Sequence, residues 1–163
     1  MPPPTARVAA LHVKSRTPGE RGLPKHPVPE ALVTARGMAG DHNVWRTEKK
    51  QGHNDYALLL HSAETLAELR AAGWPVMPGH LGENVLTEHL AYQAMQPGTR
   101  WRIGASEVEV VKVCDPCTNL AALPYVGQPR VAEFIKATLG RRGWYARVLR
   151  EGRVRAGDAV AEL

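Results

Sequence analysis

The sequence predicts a mostly β fold, a Greek-key-like closed or partly closed β-barrel with two or three short helices. Fifteen glycines and thirteen prolines interrupt its 163 residues at short intervals, which suits short strands and turns better than long helices. Period-two alternation of apolar residues is clear in Glu107–Val113, the signature of a half-buried strand. Only two stretches combine good helix formers with start and stop signals.

Arg7 to Lys14 (RVAALHVK) is the first expected strand. Ser15 to Pro29, rich in Gly, Pro and charge, is expected to be a loop, followed by a strand over Glu30 to Ala35. Gly37 to His42 then turns the chain, and Asp55 to Leu60 (DYALLL) is a buried strand. Ser62 offers an N-cap to a helix over Glu64 to Ala72, with Leu66, Leu69 and Ala72 on one face and Gly73 closing it at C′. Val85 to Thr87, Arg100 to Ile103 and Val108 to Val113 are further strands; in the last, Val108 and Val110 alternate with either Val111 or Val113. Pro129 to Leu139 is the second helix, with proline near N1 and Gly140 after its end. Trp144 to Leu149 follows as a strand. Glu151-Gly152 turns into Val154, and Gly157-Asp158 leads to a last strand, Ala159 to Leu163. No linker or internal repeat divides residues 1–163, so one domain is expected.

The composition is 44% hydrophobic and 23% charged, which argues against a largely disordered chain. No apolar run approaches the ~20 residues of a spanning helix, and Met-Pro-Pro-Pro-Thr does not begin like a secretory signal. Two cysteines do not staple a secreted mini-domain, so a cytoplasmic setting is expected. The net charge of +5 favours an anionic partner. The nine aromatic residues do not interleave with the basic ones as a single-strand nucleic-acid groove requires, so a solvated basic surface is the simpler account.

Cys114-Asp115-Pro116-Cys117 is the sharpest local feature. A C-x-x-C pair serves as a redox couple, as half of a zinc site, or as the setting of one working thiolate; it is equally compatible with two cysteines packed as small apolar groups. A zinc site needs two further ligands, and the seven histidines show no H-x-x-x-H pair. Gly40-Asp41-His42 carries a carboxylate and an imidazole on a turn, where Asp41 has the simpler use of bonding nearby amides. In Pro78-Gly79-His80-Leu81-Gly82-Glu83-Asn84 the terminal pair offers acceptors and an amide able to fix the edge of a heterocycle, or else an arginine partner for Glu83 and a backbone bond for Asn84. Arg141-Arg142 precedes the Trp144 strand, and arginine suits bidentate phosphate contact.

Taken in order, these pieces resemble the MOSC domain, the C-terminal module of molybdenum-cofactor sulfurases that also occurs as short stand-alone bacterial proteins. The resemblance rests on Lys25-His26-Pro27-Val28, Gly37 to His42, Pro78-Gly79 with Gly82-Glu83-Asn84, Pro97-Gly98, Ile103-Gly104, Pro116-Cys117, Arg142 to Val148, and Gly152 with Gly157-Asp158. It runs from about Arg7 to Val160. It implies a barrel-like fold and a molybdenum cofactor (molybdopterin). Cys117, in the Pro-Cys position, would ligate molybdenum or carry sulfur, as a soft thiolate can. Lys25, Asp41, His42, Gly82, Glu83, Asn84 and Arg142 would form the cofactor-binding set, the basic residues meeting the pterin's phosphate. Cys114 would be a resolving thiol or inert.

The sulfurase's pyridoxal-phosphate domain and the N-terminal barrel half of longer members have no counterpart here, so pyridoxal phosphate is not expected to bind. No ferredoxin-type cysteine set is present, so a reductase would draw electrons from a partner protein. Two functions follow from the resemblance. One is molybdenum-dependent reduction of N-hydroxylated compounds with an external electron donor. The other is a non-catalytic module that delivers sulfur or cofactor to a partner. A zinc-stabilised structural module is the third and least supported by spacing.

Overall fold

A computed structural model describes all residues, 1–163. The fold is mostly β with three α-helices. An eight-stranded sheet has the order β11-β7-β8-β9-β5-β6-β1-β2, and a three-stranded sheet the order β10-β3-β4. The large sheet comprises β1 (Arg7–Val13), β2 (His26–Val28), β5 (Leu58–Ser62), β6 (Val85–Glu88), β7 (Arg100–Ile103), β8 (Ser106–Val113), β9 (Trp144–Arg150) and β11 (Val160–Glu162). The small one comprises β3 (Glu30–Thr34), β4 (Gly37–Met38) and β10 (Gly152–Arg155). The helices are α1 (Val44–Lys49), α2 (Ala63–Ala71) and α3 (Gly127–Thr138). No helix is long and apolar enough to cross a membrane.

The sheet does not close into the expected barrel. Its order is an open list with β11 at one end, and β1 meets the chain around β11 through an isolated bridge between Arg7 and Ala159 and a few backbone hydrogen bonds, of Val8 with Gly157 and Asp158 and of Val160 with Ala6, without a ladder. A further difference is β2, a short strand inside the stretch expected to be loop; it pairs with β1 at Leu11–Val28 and Val13–His26.

β5 has all five residues buried, as a strand covered on both faces must. Leu58 and Leu60 join the main core with Val8, Leu11, Val85, Val108, Val110 and Ala146. Leu59 faces the other way, onto Cys114 and Tyr145. β5 pairs parallel with β6, with α2 in the connection, and antiparallel with β9. Ser62 caps α2, accepting from the Thr65 amide at 3.1 Å, and Gly73 at C′ has φ +99°. Leu66 and Leu69 of α2 pack with Val131 and Phe134 of α3 in a second core that also takes in Leu81, Leu120 and Leu123. Burial of each large side chain there contributes roughly 2–3 kcal/mol.

A bulge in β8 resolves the Val111-or-Val113 ambiguity. Its pairing with β9 shifts register between Val110 and Lys112. The extra residue reverses the alternation, so Val113 packs on the main core with Val108 and Val110. Cys114 then falls on the opposite face, among Leu59 and Tyr145. The same face carries a cleft.

Candidate functional site

The cleft has a volume of about 180 Å³ and lies over Leu59 of β5, Lys112 of β8 and Tyr145 of β9. Its rim is formed by the Arg21–Lys25 loop, α1 through Val44 and Trp45, Leu81-Gly82 and the Asp115–Asn119 segment. Five of the residues expected at a site meet in it: Lys25, His42, Gly82, Cys117 and Arg142. Asp41, Glu83 and Asn84 do not line it.

Cys117 is half-buried, and the Arg142 guanidinium donates from Nη1 to its Sγ at 3.2 Å and to the Asp115 carbonyl at 3.3 Å. Arg142 is itself buried, and its Nε has no partner. Burial opposes its charge, yet the Cys114 and Cys117 sulfurs outweigh that and raise its pKa above the ordinary arginine value. The backbone here is held by His61, which is fully buried: Nδ1 accepts from the Ser62 amide at 2.8 Å, so Nε2 carries the proton and donates to the Arg141 carbonyl at 2.7 Å. Burial lowers the His61 pKa to about 4 and keeps the ring neutral.

Cys114 has a different environment. It is 1% exposed, and burial pushes its thiol pKa up. Its amide donates to the Gly143 carbonyl at 2.8 Å, prolonging the β8–β9 ladder, and the chain from Cys114 to Cys117 contains no turn or bend. Both cysteines are free thiols. No group of three or more His, Cys, Asp or Glu side chains is placed to hold a bare metal ion.

Asp41 and Asn84 brace the cleft from below. Asp41 Oδ2 accepts from Lys25 Nζ at 2.7 Å and from Asn84 Nδ2 at 2.9 Å, while Oδ1 accepts from the Lys14 amide at 2.9 Å. Asn84 Oδ1 takes the Leu59 amide at 3.0 Å, and Nδ2 also donates to the His12 carbonyl at 3.2 Å. One carboxylate and one amide thus tie β1, the Lys25 loop, β5 and β6 together, and hold Lys25 with a 4% exposed side chain. Glu83 is fully buried with neither carboxylate oxygen hydrogen-bonded. Burial raises its pKa to about 7, against the opposing pull of nearby backbone amides and Lys25.

Arg21, Trp45, Lys112, Asn119 and Tyr145 also line the cleft and were not among the expected site residues. Tyr145 had a signal, since it sits in the basic-aromatic stretch after Arg142. Trp45 had none, because α1 has no buried residue and no apolar stripe. Asn43 caps α1, accepting from the Arg46 amide at 2.9 Å. Arg46 fastens the following turn, donating to the carbonyls of His53 at 2.9 Å and Gly52 at 2.7 Å, and to that of Arg36.

The chain resembles several solved structures at a level that speaks to fold. YuaD from Bacillus subtilis superposes with a TM-score of 0.77 at 21% identity, covering 96% of this chain and 94% of that one. YiiM from Geobacillus stearothermophilus gives 0.73 at 23%, covering 97% and 75%. YiiM from Escherichia coli gives 0.67 at 22%, covering 96% and 69%. No curated protein matches the sequence. The MOSC domain model matches residues 47–161, a span that includes β5, α2, the Gly82–Asn84 turn, Cys117 and Arg142. Matched over most of its length, the chain belongs to the MOSC domain family.

Proposed function

We propose that the cleft binds a molybdenum–pterin cofactor and that the loaded protein reduces N-hydroxylated compounds with electrons from a separate donor protein. The family is associated with that cofactor. The observation that carries the proposal is the half-buried Cys117 Sγ in the cleft, hydrogen-bonded by buried Arg142 at 3.2 Å. The donor set fits the group. A single soft sulfur suits a metal that brings its other ligands with it, and does not suit a bare ion. When bound, the cofactor supplies a redox-active metal that exchanges electrons and oxygen with a substrate.

The chain's own residues have distinct parts in this proposal. Cys117 holds the metal through its thiolate. Arg142 keeps that sulfur in place through its 3.2 Å hydrogen bond. Arg21, Lys112 and Arg142 give the cleft the positive charge that a phosphorylated pterin requires. Lys25 is fixed in a buried ion pair with Asp41, so it offers a held ammonium donor without net charge or conformational freedom. Asp41 and Asn84 act as braces, since their polar atoms are occupied within the protein.

The test is metal and pterin analysis of protein produced in cells that synthesise the cofactor. Molybdenum and a fluorescent pterin oxidation product in comparable amounts are expected, both lost in Cys117→Ser. Folded protein carrying neither refutes cofactor binding. Loaded protein that fails to reduce N-hydroxyadenine with a chemical electron donor refutes the reductase activity and leaves delivery of sulfur or cofactor as the function.

A further inference from the structure

We infer that Trp45 is a recognition residue of the cleft, binding a flat nitrogen heteroaromatic ring; this rests on the proposed ligand class but is tested without the metal. The protein has four tryptophans. Trp74, Trp101 and Trp144 are 5%, 4% and 7% exposed and belong to the cores. Trp45 is half-buried and lines the cleft. It stacks on Tyr145, with centroids 5.2 Å apart and planes 12° from parallel, Tyr56 meets both rings edge-on at 5.1 and 5.2 Å, and Lys50 Nζ lies 5.4 Å from the Trp45 centroid and 5.5 Å from that of Tyr56, a mobile side chain that a ligand ring would displace.

Trp45 packs against the Leu59, Cys114 and Tyr145 cluster yet, unlike the other three, keeps part of its surface on the cleft. α1 is already fastened by the Asn43 cap and the Arg46 bonds. The aromatic packing instead fixes the Trp45 ring rigidly at the cleft wall, and a held ring loses little conformational freedom on binding. The cleft lining is also divided by chemistry. Leu23, Val44, Trp45 and Tyr145 provide apolar and aromatic surface, while Arg21, Lys112 and Arg142 provide charge. That pairing selects a ligand with a flat apolar face and an anionic or strongly polar edge. Two sources share this chemistry: the pterin ring of the cofactor, and the ring of an N-hydroxylated nucleobase substrate.

The experiment titrates metal-free full-length protein with two probes, pterin and N6-hydroxyadenine, each followed by tryptophan fluorescence and by equilibrium dialysis. Saturable quenching is expected with at least one probe, since Trp45 is the tryptophan open to the cleft. Trp45→Ala should weaken that probe's dialysis affinity at least tenfold. Trp45→Phe should keep affinity within threefold while abolishing the quenching, which a purely structural role would not do. Binding of pterin alone assigns Trp45 to the cofactor ring, and binding of N6-hydroxyadenine alone assigns it to the substrate ring. The inference is overturned if neither probe quenches, if quenching persists in Trp45→Phe, or if Trp45→Ala, folded by its circular dichroism, binds as tightly as the parent. Absence of molybdenum from cell-made protein would refute the proposed function without altering these titrations.

Discussion

Glu83→Gln should change the pH dependence of stability in one defined direction. Glu83 is fully buried with both carboxylate oxygens unpaired, and its pKa is raised to about 7 from the ordinary 4.5. Between those values the native protein keeps a proton that the unfolded chain releases. The contribution is fully present below pH 4.5 and is lost as pH rises through 7. At 1.36 kcal/mol per pH decade, the gap amounts to about 3 kcal/mol. Glutamine stays neutral throughout, so the variant avoids this loss. His12 and His61, both lowered to about 4, act oppositely, taking up protons in the unfolded state as pH falls from 6.5 toward 4. Because both histidines are present in each protein, they cancel in the difference. Urea unfolding of parent and variant at half-unit steps from pH 4.5 to 8 should show the variant gaining about 3 kcal/mol relative to the parent across the series. A flat difference would show that Glu83 is charged or solvated in the folded state and refute the account of its burial.

Iodoacetamide should alkylate one thiol of the native protein, Cys117, because Cys114 is 1% exposed with its pKa raised by burial; mass spectrometry finding Cys114 modified first would contradict this. Asn84→Ala should cost about 3 kcal/mol in urea unfolding, since it strands the Leu59 amide and removes a donor from Asp41; a loss below 1 kcal/mol would show that water replaces the amide freely. Gly79→Ala should destabilise by about 2–3 kcal/mol, because φ is +89° and the new methyl would press on the Lys25 carbonyl. Thermal melts check it, and an unchanged Tm would mean the turn relaxes.

Elements with their own local signals were legible in the sequence. Ser62 and Gly73 bracket α2 as their chemistry dictates, and Arg100–Ile103 forms a strand with the expected ends. α3 begins at Gly127, two residues before Pro129, which still lies in the first turn where its missing N–H is harmless. α1 was not legible, because six residues without a buried side chain carry no periodicity and the tethers from Arg46 depend on tertiary placement. The β8 bulge follows from pairing with β9, which no local rule encodes. At the site, residue types identified candidates but not positions. The resemblance grouped Asp41, Glu83 and Asn84 with Cys117, whereas the fold separates residues that line the cleft from those that support it. That distinction depends on which face of a strand or turn meets solvent, and an isolated Glu-Asn dipeptide does not specify it.

The pairing of β3 with β10 has a consequence for biosynthesis. Gly152–Arg155 lies opposite Glu30–Val33, and β3 continues through β4 toward Asp41 and His42. Residues 30–33 therefore wait for residues 152–155 to be made. At roughly 5–20 residues per second, the intervening synthesis takes on the order of ten seconds. During that interval the nascent β3–β4 hairpin has an open edge, a position where early pairing with another chain is a hazard. Asp41 can meet Lys14, Lys25 and Asn84 earlier, but Cys117, Arg142 and Tyr145 complete the cleft only later, so an occupant of the cleft meets a chain synthesised at least as far as Tyr145.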